Sequence, residues 1–181
     1  MKIVPTVMFF AAVASLAVTT IGFKKLVWFM SIGYGFGIMA IAAVLLVYGL
    51  FNKATLVTLL GCIALIIYGF RLGYYLYIRE KKSVAYQQLM AGSSASKAAP
   101  IFVSVFMWIF MTILYLAQTS PVTYRITNGD VVTIWSVIGT IVTIVGVYGE
   151  YLADKQKSAA KAINPKRFCD TGLYKIVRCP N

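Results

Sequence analysis

The chain contains no histidine. Ser-His-Asp and Cys-His catalysis and most zinc sites need an imidazole, so these are excluded. Acidic residues are scarce too: Asp and Glu number 5 against 17 Lys and Arg, a net charge of +12. The 3 cysteines, Cys62, Cys169 and Cys179, show no CxxC spacing, and Cys62 lies inside an apolar run. Neither a disulfide framework nor a metal knuckle follows, and small buried or incidental thiols are expected. Charged residues of all kinds make up only 12% of the chain, whereas hydrophobic residues make up 60%. A soluble domain is nearer a quarter charged and half apolar. The excess apolar surface needs lipid as its solvent. The cations sit between apolar runs rather than on one face of a soluble fold, so nucleic acid is not the partner they imply.

A helix needs about 20 apolar residues to cross the hydrocarbon core. The stretches Ile3–Phe23, Leu26–Phe51, Ala54–Ile78, Pro100–Ser120 and Val131–Ala153 meet that length. They predict an all-α, polytopic transmembrane bundle of five spans, a single domain over residues 1–181, with a basic tail at 154–181. Between the spans lie Lys24-Lys25, Asn52-Lys53, a polar loop from Arg79 to Ala99 and the turn-rich Thr123–Asp130. The run Ala91–Lys97 reads as a flexible loop tip. Lys2 and the apolar stretch after it also resemble a signal peptide. That stretch is long for such a segment and passes straight into a second span, so a retained helix is the preferred reading.

The cations set the expected orientation. With the N-terminus outside, Lys24, Lys25, Arg79, Lys81, Lys82, Lys97 and the tail's basic residues fall inside. Lys2, Lys53 and Arg125 fall outside. This is the positive-inside pattern, and it makes the tail cytoplasmic. Gly33/Gly37 and Gly69/Gly73 have the small-xxx-small spacing that lets helix backbones approach, within one chain or between two, so oligomeric state stays open. The GYGFG run at Gly33–Gly37 lies inside an apolar helix rather than after a strand, which excludes a phosphate loop.

Ionisable groups inside a span are expensive and mark functional places. Tyr68, Arg71, Tyr75 and Arg79 are spaced three, four and four apart and share one helical face. Arg71 either snorkels to the nearby interface or forms the wall of a polar pocket. Glu150, Asp154, Lys157 and Lys161, spaced four, three and four apart, share another face. They form either an amphipathic exit helix with i,i+4 ion pairs or the edge of a cavity. Beyond them Lys166, Arg167, Lys175 and Arg178 supply cations for a multiply phosphorylated ligand or for anionic headgroups of the inner leaflet.

Three segments carry a family resemblance. GEYLADKQKSAAKAINPKRFCDTGLYKIVRCPN, at the end of the chain, resembles the C-terminal signature of steroid 5-alpha-reductase-like membrane enzymes. That signature has an acid-rich exit helix, a Gly-Leu-Trp/Tyr step and an Arg-His-Pro-Asn-Tyr motif. YGFRLGYYLYIREKK resembles the family's Arg-Leu helix, and SIGYGFG its Asp-x-x-Trp-Gly helix, in the same order along the chain. The resemblance implies a bundle open to the cytoplasm that binds NADPH. It implies hydride delivery to the β-carbon of an α,β-unsaturated ketone of a lipid or steroid reached from the bilayer. Tyr68 matches the tyrosine that bonds the substrate carbonyl, and Arg71 matches a cofactor-binding arginine. Glu150, Asp154, Lys161, Arg167 and Asn181 fall at polar cofactor contacts, with Lys157 and Arg178 as additions; no metal is implied.

The residue types suit that chemistry. Hydride addition to an enone builds negative charge on the carbonyl oxygen, and a phenol in a dry site is a suitable donor to it. The cofactor supplies the redox step while the protein supplies orientation and electrostatics. Three departures stand beside the match. Ser31 replaces the usual acid of the second span, Cys179 replaces the usual histidine, and the chain stops at Asn181 where a Tyr and further helices normally follow. The chain therefore reads as a fragment or a truncated relative. Two rival readings remain: a membrane methyltransferase of the isoprenylcysteine type using S-adenosylmethionine, and a degenerate, non-enzymatic membrane protein.

Overall fold

The computed structural model of the protein describes residues 4–164, 168–178 and 180. Every regular element among the described residues is helical. Five helices are long and apolar enough to cross a membrane: Thr6–Phe23, Ile32–Phe51, Leu56–Lys82, Ile101–Thr127 and Ile134–Ile163. The chain is an integral, multi-pass membrane protein. It falls into two compact units, one up to Val137 and one from Ile138 onward.

In the first unit α1 (Val4–Thr19), α2 (Val27–Met30), α3 (Ile32–Phe51), α4 (Leu56–Lys82), α5 (Val84–Ala91) and α6 (Ile101–Thr127) follow one another. α3 packs between α1 and α4, and α6 closes on α1 and α3. Phe29, Ile41, Leu45, Cys62 and Tyr115 are fully buried between them. Phe51, Leu56, Phe70, Phe102 and Phe106 are exposed on the outer surface. In water such a surface would aggregate; in hydrocarbon it is solvated, while the helices satisfy their own backbone groups.

Glycine sets the α3–α4 contact. A Cβ on Gly69 would lie 2.5 Å from the Gly35 carbonyl oxygen and 2.7 Å from the Met39 nitrogen. The Gly69/Gly73 pair is thus a close-packing face, but its partner on α3 is Gly35. Gly37 instead faces the Tyr115 ring and Thr19, and Gly33 faces the Trp28 carbonyl. Gly69→Ala is expected to destabilise the solubilised protein by about 2 kcal/mol, because backbone rather than a flexible side chain blocks the new methyl. Gly92→Ala, with nothing within 4 Å, should leave the thermal midpoint unchanged. Equal midpoints for the two variants would contradict that packing.

Four boundaries differ from the sequence expectation, one of them that of the fifth span, whose helix runs to Ile163 rather than ending at Ala153. The second span is broken at Ser31 (φ −114°, ψ −90°), whose hydroxyl bonds the Val27 carbonyl at 2.9 Å; serine back-bonding of this kind bends helices. The fourth span does not end at Ser120 but runs through Pro121 to Thr127. Proline cannot donate to the Ala117 carbonyl, and Ser120 Oγ donates to it instead at 2.7 Å. Thr123 and Thr127 back-bond their helix in the same way, so the turn shrinks to a few residues around Gly129 (φ +83°). The polar stretch from Arg79 to Ala99 is largely helical: α4 continues to Lys82, and Ser83 caps α5 by accepting from the Tyr86 amide.

Polar contacts tie both ends of this unit. At one end Lys25 pairs with Glu80, and the Leu26 amide donates to the Lys97 carbonyl. At the other, Asp130 sits on the N-terminus of α4. Its carboxylate accepts from Thr55 N and Oγ1, both at 2.7 Å, from Thr58 Oγ1 at 2.9 Å and from Arg125 Nε at 3.0 Å.

The second unit is built on α7 (Ile134–Ile163) and α8 (Leu173–Ile176). Thirty helical residues extend about 45 Å, more than the roughly 30 Å of hydrocarbon. Ile141, Val142 and Val145 are exposed apolar residues suited to lipid. The tail folds back along the polar end of α7, where Gln156 Oε1 accepts from the Leu173 amide at 2.9 Å. Gly172 (φ +61°) lies against the Gln156 amide, where a Cβ would meet Cδ at 2.5 Å.

Candidate functional site

In the first unit the face carrying Tyr68, Arg71, Tyr75 and Arg79 is half-buried, while Ile67, Phe70 and Tyr74 on the same helix are exposed. Tyr68 meets a second tyrosine. Its hydroxyl donates to the Tyr34 hydroxyl at 3.2 Å, and the two rings meet edge-on with centroids 6.3 Å apart. Gln118 Nε2, from α6, donates to the same Tyr34 oxygen at 3.2 Å. Tyr115 fixes the other side of Tyr34, with centroids 5.5 Å apart, and its own hydroxyl donates to the Phe29 carbonyl. Three helices therefore converge on one phenolic oxygen.

Ser31, which stands where the resemblance has an acid, bonds the Val27 carbonyl at the helix break. Tyr34, one turn later, is the α3 residue that meets Tyr68. Sequence reading missed Tyr34 because aromatics are common in spans. It missed Gln118 as well, although an amide in the apolar run ILYLAQ was a usable signal.

The second unit holds a cavity of about 720 Å³, lined by Lys157, Lys161, Lys175 and Arg178 together with Phe168, Cys169, Tyr174, Ile176 and Val177. That volume lies within the range of small-molecule sites. Lys157 and Lys161 enter it from one face of α7, as their spacing requires; the folded-back tail brings the rest. No carboxylate is among these lining residues. Such a lining suits phosphate groups, and the two aromatics offer apolar surface to a base or ring.

The site residues expected from sequence are divided between the two units. Tyr68 and Arg71 share a face of α4. Lys157, Lys161 and Arg178 line one cavity. Glu150 and Asp154 lie earlier on α7, Glu150 half-buried and Asp154 only 6% exposed, and neither lines that cavity. Arg167, Lys166, Cys179 and Asn181 lie outside the described residues. Cys62 and Cys169 are free and buried, as small incidental thiols should be.

The model of a protein family described as a protein of unknown function, DUF1295, matches residues 16–181. No curated protein and no solved structure matches the chain.

Proposed function

Starting from the DUF1295 family, to which the chain belongs, we propose that it is an NADPH-dependent membrane reductase of the steroid 5-alpha-reductase-like kind, acting on an α,β-unsaturated ketone of a lipid or steroid. The observation that carries this reading is the tail cavity, with four cations and no carboxylate in its lining. An anionic, multiply phosphorylated cofactor fits such a lining. The sulfonium cation of S-adenosylmethionine does not, which disfavours the methyltransferase reading. Orientation follows the cations, with the N-terminus outside and the Lys25–Glu80 end and the tail in the cytoplasm.

Lys157, Lys161, Lys175 and Arg178 would hold the phosphates; Arg71, Glu150, Asp154, Arg167 and Asn181 are the further polar contacts that the family resemblance implies. When bound, the reduced nicotinamide supplies a hydride for the β-carbon of the enone. The tyrosines at the Tyr68 site receive the carbonyl and donate a hydrogen bond to the oxygen as it gains charge. Apolar spans around them limit the access of water, which strengthens that bond. The enolate then takes its α-proton from solvent.

The test is NADPH oxidation by the full chain in nanodiscs supplied with an enone lipid. Turnover is expected, and Tyr68→Phe should slow it about 10- to 100-fold, since a hydrogen bond to the developing oxyanion is lost or misplaced. Methyl transfer from S-adenosylmethionine to a thiol or lipid, with no NADPH oxidation, would sink the proposal.

A further inference from the structure

We infer that Tyr34, rather than Tyr68, is the phenol that donates to the substrate carbonyl, with Tyr68 and Gln118 as positioning residues that hold its oxygen; this rests on the reductase reading above. Hydrogen-bond arithmetic carries the assignment. A phenol has one proton to give and an oxygen that can accept. The Tyr68 proton is directed at the Tyr34 oxygen, 3.2 Å away, and a Gln118 amide proton is directed at the same oxygen, also at 3.2 Å. With both bonds accepted, Tyr34 is, of the two phenols, the one whose proton is not directed at the other.

Accepting two hydrogen bonds also makes a phenol a stronger donor, because each bond polarises the next. As charge builds on the carbonyl oxygen, part of it passes through Tyr34 to Tyr68 and Gln118. The Tyr34 ring is held edge-on between Tyr68 and Tyr115, which limits where its hydroxyl can go. Preorganised donors of this kind need no rearrangement at the moment of reaction. Gln118 supports the same conclusion. It is exposed on a membrane-spanning helix, where an amide is costly in hydrocarbon. Its bond to Tyr34 gives the amide a role there, and Gln118 brings the half-buried phenols next to the exposed surface of the helix.

The chemical balance is that of the proposed reaction: hydride and a solvent proton add across the carbon–carbon double bond, and the nicotinamide is oxidised. Tyr34 keeps its proton throughout and acts as a hydrogen-bond donor.

The test reads the substrate carbonyl directly. Cholest-4-en-3-one carrying a ¹³C carbonyl is bound to the full chain in zwitterionic nanodiscs, and its infrared carbonyl band is compared with that of the probe in empty discs. A downshifted band is expected for the unaltered chain and for Tyr68→Phe, and no downshift for Tyr34→Phe, which keeps the ring and its packing. Thermal midpoints of the variants confirm folding. A downshift that survives Tyr34→Phe overturns the assignment. If it is also lost in Tyr68→Phe, Tyr68 is the donor and the reductase reading stands. Absence of any bound, downshifted band in the unaltered chain overturns both.

Discussion

Asp130→Ala is expected to destabilise the protein by about 3 kcal/mol, the scale of removing one partner from a buried ion pair. The Asp130 side chain is only 5% exposed and that of Arg125 24%. The carboxylate serves three tasks at once. It neutralises Arg125, satisfies the Thr55 amide that α4 leaves without an intrahelical acceptor, and places negative charge at the positive end of that helix. Removing it leaves a cation and a backbone donor without that acceptor. It also releases the link between the start of α4 and the segment after α6. Asp130→Asn should cost less, since an amide oxygen still accepts from Thr55.

The same site fixes a pH dependence. Burial alone would raise the Asp130 pKa, but hydrogen bonds from Arg125 and Thr55 and Thr58 outweigh it and hold the carboxyl below its ordinary value. A folded-state pKa below the unfolded one stabilises the fold at neutral pH. The contribution is full above about pH 4, the unfolded carboxylate value, and is lost as pH falls through the folded value. The difference in thermal midpoint between the unaltered chain and Asp130→Ala should be flat from about pH 5 to 8 and shrink below about pH 4. A difference that grows on acidification would contradict the assignment.

Reversing Lys157 and Lys161 together to Glu is expected to weaken NADPH binding about 10²- to 10⁴-fold. Each charge-assisted hydrogen bond contributes about 1.5–3 kcal/mol, and 1.4 kcal/mol is tenfold in affinity. The two side chains lie a helical turn apart on the polar end of α7, Lys157 exposed and Lys161 half-buried, and thermal midpoints check that the helix tolerates the change. In zwitterionic nanodiscs the loss reports on the soluble ligand and not on anionic headgroups. Unchanged affinity would show that the phosphates are held elsewhere.

Much of the fold was legible because span length and apolar content are local properties. The five spans, and the shared faces of Tyr68/Arg71 and Lys157/Lys161, follow from counting residues along one helix. The structure altered what depends on distant partners. Tyr34 meets Tyr68 from 34 positions away and Gln118 from 84. Asp130 meets Thr55 across 75. No local pattern announces such pairs, and Asp130 stood in the sequence only as the end of a turn-rich stretch. The Gly35–Gly69 contact illustrates the same limit: spacing singled out Gly33 and Gly37, but rotation of α3 about its axis, set by packing on three sides, decided which glycine met α4. The fourth span outran its expected end at Ser120 for a different reason, because Ser120 supplies the bond that Pro121 cannot.

Titration of the full chain in zwitterionic nanodiscs with NADPH and, separately, with S-adenosylmethionine tests the proposed function most directly. Saturable binding of NADPH that is displaced by NADP⁺ and weakened by the Lys157/Lys161 reversal is the expected result, with no binding of S-adenosylmethionine. Binding of S-adenosylmethionine without NADPH, or of neither, would contradict it.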